Sequence, residues 1–196
     1  MNRRAVLLPL LLAGCGLSER PYDERRQWPL TLARPAILPP RPRGQVLELR
    51  TLRAAPGLDA RGLQSLGADG SLATAYYEEW SVPPAQGVEA ALRAWLTSAG
   101  LFAAVIATGS RLTADLVIEG ELSALWTEPA AHVAHASLAV TVIAIVNDTP
   151  KVAWQRTYRE TAALIGPAAQ DAAQAMLAAV ALILARVETD LRGFKG

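Results

Sequence analysis

The apolar positions along this chain change period several times, and each change marks an element. Leu116, Ile118, Gly120, Leu122 and Ala124 alternate with Val117, Glu119, Glu121 and Ser123. A period of two with one polar face predicts a half-buried antiparallel strand. Thr127-Glu128-Pro129 turns the chain, and a long valine- and isoleucine-rich strand is predicted over His132 to Val146. Asn147-Asp148-Thr149-Pro150 is the next turn. From Val152 to Thr161 the alternation returns, with Val152, Trp154, Arg156, Tyr158 and Glu160 on one side. Ala153, Gln155, Thr157, Arg159 and Thr161 occupy the other. These three strands read as a meander.

The first half is less regular. Val46 to Arg53 reads as a strand, Ala55-Pro56-Gly57-Leu58-Asp59 as a loop and Gly62 to Ser65 as a second short strand. Asp69-Gly70 signals a hairpin into a strand over Leu72 to Val82, which carries Tyr76, Tyr77 and Trp80. Pro83-Pro84 ends that strand and opens a helix, because proline needs no amide partner in a first helical turn. Val88, Ala91, Leu92, Trp95, Leu96 and Ala99 follow helical spacing, which should lay Trp95 on a sheet. Glu89 and Arg93 form an i,i+4 pair expected to point outward, and Gly100 is the stop. Leu101 to Thr108 is a short strand or connector with Phe102 and Val105 inward.

Gly166-Pro167 opens the last helix, which runs to about Arg192. Met176, Leu177, Val180, Leu184, Val187 and Leu191 mark its core stripe; Asp171, Arg186, Glu188 and Asp190 mark its expected wet side. The order strands, helix, strands, helix predicts an α+β fold, a mainly antiparallel sheet with two helices packed on one face. There is no internal repeat.

The N-terminus follows different rules. Arg3 and Arg4 precede an apolar run from Ala5 to Leu12, which ends in Leu12-Ala13-Gly14-Cys15. This is the layout of a secretory signal, residues 1–14. The run is too short to span a bilayer, which needs about 20 residues, and Pro9 interrupts it. No later stretch reads as a membrane span, since polar residues interrupt each one. Leu-Ala-Gly-Cys resembles the lipobox of bacterial lipoproteins. That resemblance implies cleavage before Cys15, a diacylglycerol on its sulfur and an acyl chain such as palmitate on the freed amine. One chain gives only marginal membrane binding, at about 0.8 kcal/mol per buried methylene, so stable anchoring takes at least two. Gly16 stands where an aspartate usually retains lipoproteins in the inner membrane. Its presence points to the inner leaflet of the outer membrane, facing the periplasm.

Residues 15–45 have the composition of a tether, and the remaining domain is expected over 46–196. Pro21, Pro29, Pro35, Pro39, Pro40 and Pro42 remove amide donors and fix φ, which excludes a long helix or central strand. Trp28-Pro29-Leu30-Thr31-Leu32 is an apolar island within this stretch, expected to clip onto the domain surface.

Charge and chemistry narrow the function. The chain carries +1, and losing Arg3 and Arg4 with the leader leaves 17 basic residues against 18 acidic ones. A balance this close to neutral offers no electrostatic case for nucleic acid. Cys15 is the only cysteine, so its lipidation would leave no thiol for disulfides or metal. His132 and His135 are three apart on a predicted strand, which puts them on opposite faces and makes a poor metal pair. Glu119 and Glu121 share a face, where a solvated sheet surface outweighs an acid/base pair. No phosphate loop, Gly-x-Ser-x-Gly or His-Glu-x-x-His motif is present. No cofactor is expected. The reading is a non-catalytic binding or scaffolding protein, and Tyr76, Tyr77, Trp80 and Trp126 are its candidate partner-binding residues.

The ordered features resemble the ABC-type transport auxiliary lipoproteins, the PqiC-like group that accompanies MCE transport systems. The matching residues are the lipobox ending at Cys15, the loop Ala55 to Asp59, and Tyr76-Tyr77-Glu78-Glu79-Trp80 followed by Pro83-Pro84. Further matches are Ala99 to Val105, the strand Leu116 to Gly120 and the alanine-rich last helix. The chain departs at Trp28-Pro29-Leu30, where the family often starts a strand with Tyr-Tyr-x-Leu. The resemblance implies a periplasm-facing auxiliary subunit of a phospholipid transport machine that supports envelope integrity. Its partners would be an MCE-domain subunit, an ABC permease, an ATPase and the membrane, and a homo-oligomeric ring is allowed. An outer-membrane assembly lipoprotein, serving lipopolysaccharide or porin insertion, is the alternative with the same anchor and domain size.

Overall fold

The computed structural model describes residues 24–41 and 43–194. The leader and Cys15 lie outside them. Nine strands and two helices run β1 (Arg26–Trp28), β2 (Val46–Leu49), β3 (Arg53–Ala54), β4 (Gly62–Leu66), β5 (Leu72–Trp80), α1 (Pro84–Ser98), β6 (Ala104–Ala107), β7 (Leu116–Glu128), β8 (Val133–Val146), β9 (Thr149–Ala163) and α2 (Ala169–Gly193). The fold is α+β, with both helices on one face of a single sheet.

The strand β7 is the hub. One of its edges pairs with β8 from Leu116↔Ala144 to Glu128↔Val133, and β8 continues antiparallel into β9. Its other edge takes three short strands in succession. These are β2 at Leu47↔Leu116, β3 at Arg53↔Glu121 and β4 at Ser65↔Thr127, all parallel to it. Beyond them β6 pairs parallel with β2, β5 antiparallel with β4, and β1 parallel with β5. The expected mainly antiparallel sheet is therefore mixed. Alternation reports which face is buried, not the direction of the neighbouring strand, so these parallel pairings left no mark in the pattern.

The expected first strand over 46–53 is interrupted. The Arg50 amide still donates to the Ile118 carbonyl at 3.0 Å. The Leu52 amide instead donates to the Glu89 carboxylate on α1, at 3.1 Å. Glu89 also takes Arg93 at 2.5 Å, so the predicted i,i+4 pair exists. Its carboxylate, however, turns inward to cap the break between β2 and β3.

Turn chemistry agrees with the residues present. Asn147 and Asp148 both adopt left-handed backbone, with φ of 50° and 58°. That is the demand of a two-residue hairpin whose twist matches its strands, and Asn and Asp tolerate it. His132 lies at φ 55°, closing the short 3-10 turn Pro129–Ala131. It is thus a turn residue and not part of β8 as expected. α2 begins with the Asp171 side chain accepting the Ala168 amide at 3.1 Å, which satisfies one of the free donors at the helix start.

Two bulges shift the alternation. One lies between Leu122 and Ala124, so Leu122 and Leu125 both face the helices. The other lies opposite Val142 and Ile143 and moves Val152, 66% exposed, onto the far face from Trp154, Arg156, Tyr158 and Glu160. The core forms between the inner rows of β2, β7 and β8 and the apolar sides of the helices. Leu47, Ile118, Leu122, Leu138, Leu92 and Met176 are all fully buried there. By length and composition α2 could cross a bilayer, with a mean hydropathy of 1.5 over its most apolar window. Half of that window is instead buried against the sheet, where Met176, Val180, Ile183, Leu184 and Val187 meet the core.

Replacing Leu138 by Ala removes a fully buried side chain near the centre of the longest ladder, β8 with β9, where it lies opposite Tyr158. It is expected to cost about 2–5 kcal/mol, read as a lower urea midpoint with an unchanged slope.

Candidate functional site

Within the stretch expected to serve as a tether, the chain becomes part of the domain at Arg26. β1 adds to the edge of β5 in register Arg26↔Glu78, Gln27↔Glu79 and Trp28↔Trp80. The Trp28 indole donates to Glu78 at 2.8 Å, and Gln27 donates to Glu79 at 2.9 Å. Glu79 is nearly buried and also takes Arg61 at 2.9 Å, so its charge is matched. Leu30 is buried beside Gly87 of α1. A Cβ at Gly87 would sit 2.8 Å from the Leu30 Cβ, so only glycine lets the two segments approach this closely. Further on, the Leu38 amide donates to the Ser98 carbonyl at 2.8 Å. Gly100, at φ +61°, runs under Pro39.

Glu188 closes this clasp. It accepts from Arg34 Nε at 2.9 Å and Nη2 at 3.1 Å, from the Trp95 indole at 2.8 Å and from Arg192 at 2.6 Å. Three parts of the chain therefore meet on one carboxylate: the N-terminal segment, α1 and α2. Burial pushes the Glu188 pKa up, but the hydrogen bonds from Arg34, Arg192 and Trp95 outweigh it and hold the group at about 2. Glu188, expected on the wet side of α2, is buried to 7% exposure. The signal that could have found it is its spacing. Leu184, Val187 and Leu191 flank it on the core stripe, so it is an acid where helical periodicity demands an apolar side chain. Trp95, expected on the sheet, is buried in the core, and its indole N–H reaches this acid on α2.

A second polar cluster ties α2 to β9. Asp190 takes the Tyr158 hydroxyl at 2.6 Å and Arg156 at 2.7 Å, and Arg186 meets Glu160 at 2.6 Å. Burial raises the Asp190 pKa, while the bonds from Tyr158 and Arg156 lower it by more. Burial, followed by the bond to Asp190, drives the Tyr158 hydroxyl well above the usual phenol range.

The four aromatic candidates do not form one surface. Trp80 is 1% exposed and belongs to the core, so it offers nothing to a partner. Tyr76 is 71% and Tyr77 44% exposed, and their rings meet edge to face at 4.9 Å. The Arg25 guanidinium lies over Tyr76, 4.9 Å from its centroid. Trp126 is half-buried elsewhere on the sheet, 6.2 Å from the His135 ring. His135 Nε2 lies 2.9 Å from the Glu128 carboxylate. Glu119 pairs with Arg50 and Glu121 with Arg53, the latter at 3.8 Å, so each acid has its own cation. Among the described residues no group of three or more His, Cys, Asp or Glu is placed to hold a metal ion.

The family model for the ABC-type transport auxiliary lipoprotein component matches residues 30–188. The chain belongs to that family. The match opens at Leu30, the residue seated against Gly87, and ends at Glu188, the acid that closes the clasp. No curated protein matches the sequence. The fold of this auxiliary lipoprotein is shared with solved structures at low identity. An uncharacterized protein aligns at TM-score 0.68 and 12% identity, over 86% of this chain and 99% of its own. A DUF330 protein from Xanthomonas campestris aligns at 0.65 and 17%, over 78% and 89%. A hypothetical protein from Chlamydia trachomatis aligns at 0.54 and 13%, over 77% and 99%.

Two outcomes test the clasp. Glu188→Gln removes the negative charge and one of the two oxygens that accept from Arg34, Arg192 and Trp95, and should cost about 2–4 kcal/mol in urea unfolding. In the unsubstituted protein the same carboxylate contributes fully above its ordinary pKa of 4.5. That contribution, on the order of 2–3 kcal/mol, should be lost as pH falls towards 2, and the variant should lack this acid-sensitive component. Gly87→Ala gains about 1 kcal/mol of helix propensity but displaces Leu30, whose burial is worth about 1.5–3 kcal/mol. The expected result is net destabilisation with faster amide exchange at residues 30–38, measured by mass spectrometry.

Proposed function

We propose that this auxiliary lipoprotein is a non-catalytic, periplasm-facing subunit of an MCE-type phospholipid transport system, anchored through acyl chains on Cys15. The outer membrane, inner leaflet, is the proposed site, following Gly16 after the cleavage point. Family membership supports the class of protein, a lipoprotein component of ABC-type transport. The MCE subunit, the permease and the ATPase are the partners the family resemblance implies, and support for envelope integrity is the proposed outcome.

The observation that carries the anchoring part is the early start of the fold. Only residues 16–25 separate Cys15 from β1. At most about 3.3–3.6 Å per residue, these ten residues reach no more than about 36 Å. A lipid on Cys15 would therefore hold the β1–β5 edge close to the bilayer. Force on the anchor would pass through β1, Leu30 and Arg34 into α1 and α2. The exposed Tyr76–Tyr77 pair lies on β5, the strand that carries β1. We assign it the first contact with a partner, because exposed tyrosines bury large area at low entropic cost on docking.

Two experiments test this reading. Cys15→Ser should shift the protein from the membrane fraction to the soluble fraction of cell envelopes. The unsubstituted protein, extracted in mild detergent, should co-purify with an MCE-domain protein. Replacing Tyr76 and Tyr77 together by Ser should weaken that association at least about tenfold without lowering the melting temperature. Retention of the Cys15→Ser protein in the membrane, or consistent absence of an MCE protein from the extracts, would refute the assignment.

A further inference from the structure

The sheet face turned away from the helices changes in character from row to row. Strand register places Glu128, Val133 and Ala163 in one cross-strand row, and Trp126, His135 and Thr161 in the next. The third row holds Ala124, Ser137 and Arg159. An uncovered antiparallel face normally leaves such positions wet. Here Ser137 is 7% exposed and Ala124 6%, although neither faces the helices. The bulge between Leu122 and Ala124 bends β7 at this row and makes the surface concave. Ser123, Trp126, His135, Ser137, Arg159 and Thr161 line the resulting depression of about 380 Å³.

Glu160 also borders the depression but is paired with Arg186 of α2 at 2.6 Å, and the remaining polar groups are mostly hydrogen-bond donors. The Ser123 hydroxyl donates to Ser137 Oγ at 2.8 Å, which leaves the Ser137 proton for another acceptor. Thr161 adds a second hydroxyl at the rim, and Arg159 adds the charge. Every other arginine within a described strand or helix has a carboxylate within 4.0 Å: Arg26, Arg53, Arg93, Arg156, Arg186 and Arg192. Arg159 has none among the described residues. One unmatched cation with neutral hydroxyls fits a monoanion. A phosphodiester carries one negative charge, whereas a phosphate monoester carries about −1.5 to −2. The Trp126 ring and Ala124 supply an apolar wall and floor beside the charge, as an anion borne on an organic body requires.

We propose that this depression binds the phosphodiester headgroup of a phospholipid. Arg159 takes a phosphate oxygen, Ser137 donates to a second, and Trp126 packs on the glycerol portion. The proposal rests on the phospholipid-transport reading above and names the site at which this subunit touches lipid. Full-length protein held in amphipol is titrated calorimetrically with dihexanoylphosphatidylglycerol below its micelle-forming concentration. Hexanoate and inorganic phosphate are titrated separately. The short-chain phospholipid is expected to bind at least about tenfold more tightly than either. Arg159→Gln should lose at least about tenfold of that affinity, with an unchanged melting temperature. Arg43→Gln, a distant exposed control, should bind as the unsubstituted protein does. No phospholipid binding, equal binding by R159Q, or tighter binding of hexanoate or inorganic phosphate would each overturn the proposal. No transport partner is present in this titration. Its failure therefore removes the site alone, and failure to co-purify an MCE protein removes the partner assignment alone.

Discussion

A single carboxylate holds the helical layer together with the N-terminal segment. Glu188 lies among apolar side chains, and its charge is tolerated because Arg34, Arg192 and Trp95 all donate to it. Each donor comes from a different place in the chain, 154 residues away in the case of Arg34. A buried acid with good partners adds little net stability over an apolar core, but it is costly to leave unmatched. It therefore acts as a register device. α2 can dock with Glu188 in this position only if α1 presents Trp95 and the N-terminal segment presents Arg34.

That constraint bears on the anchor. A lipid-held domain on a free leash would swing independently of its membrane attachment. Here the chain after Cys15 enters the sheet at β1, seats Leu30 in the space Gly87 leaves, and reaches the helices through Arg34. An end anchored at Cys15, as proposed, would form one mechanical unit with the core of the domain. The opposite sheet face stays open, and its concave row around Ser137 lies away from this fastening. Attachment and recognition can then change separately.

Much of this architecture was legible along the chain. The meander β7–β8–β9 followed from period-two alternation, and both helices followed from apolar stripes opened by proline. Asn147-Asp148 marked its hairpin because those residues tolerate left-handed backbone. What failed did so for physical reasons. The bulges at Leu122/Ala124 and Val142/Ile143 insert a residue and flip the faces beyond it, which strict alternation cannot anticipate. Trp80 looked like an interface residue because a large aromatic at a strand end suits either a core or a surface. Its 1% exposure was decided by what packs over it.

By itself, the sequence determined the α+β class, the order of the two helices and the longer strands, and the apolar faces between the bulges, since these depend on local periodicity and on turn residues with restricted backbone. It also carried the family's ordered motifs. Tertiary structure alone decided that three short strands run parallel along one edge of β7, that Glu188 turns inward, and that Arg34 and Arg159 differ in having a carboxylate partner. These depend on groups far apart in the chain meeting in space, where the sign of a neighbour's charge and the absence of a Cβ at Gly87 count for more than any local pattern.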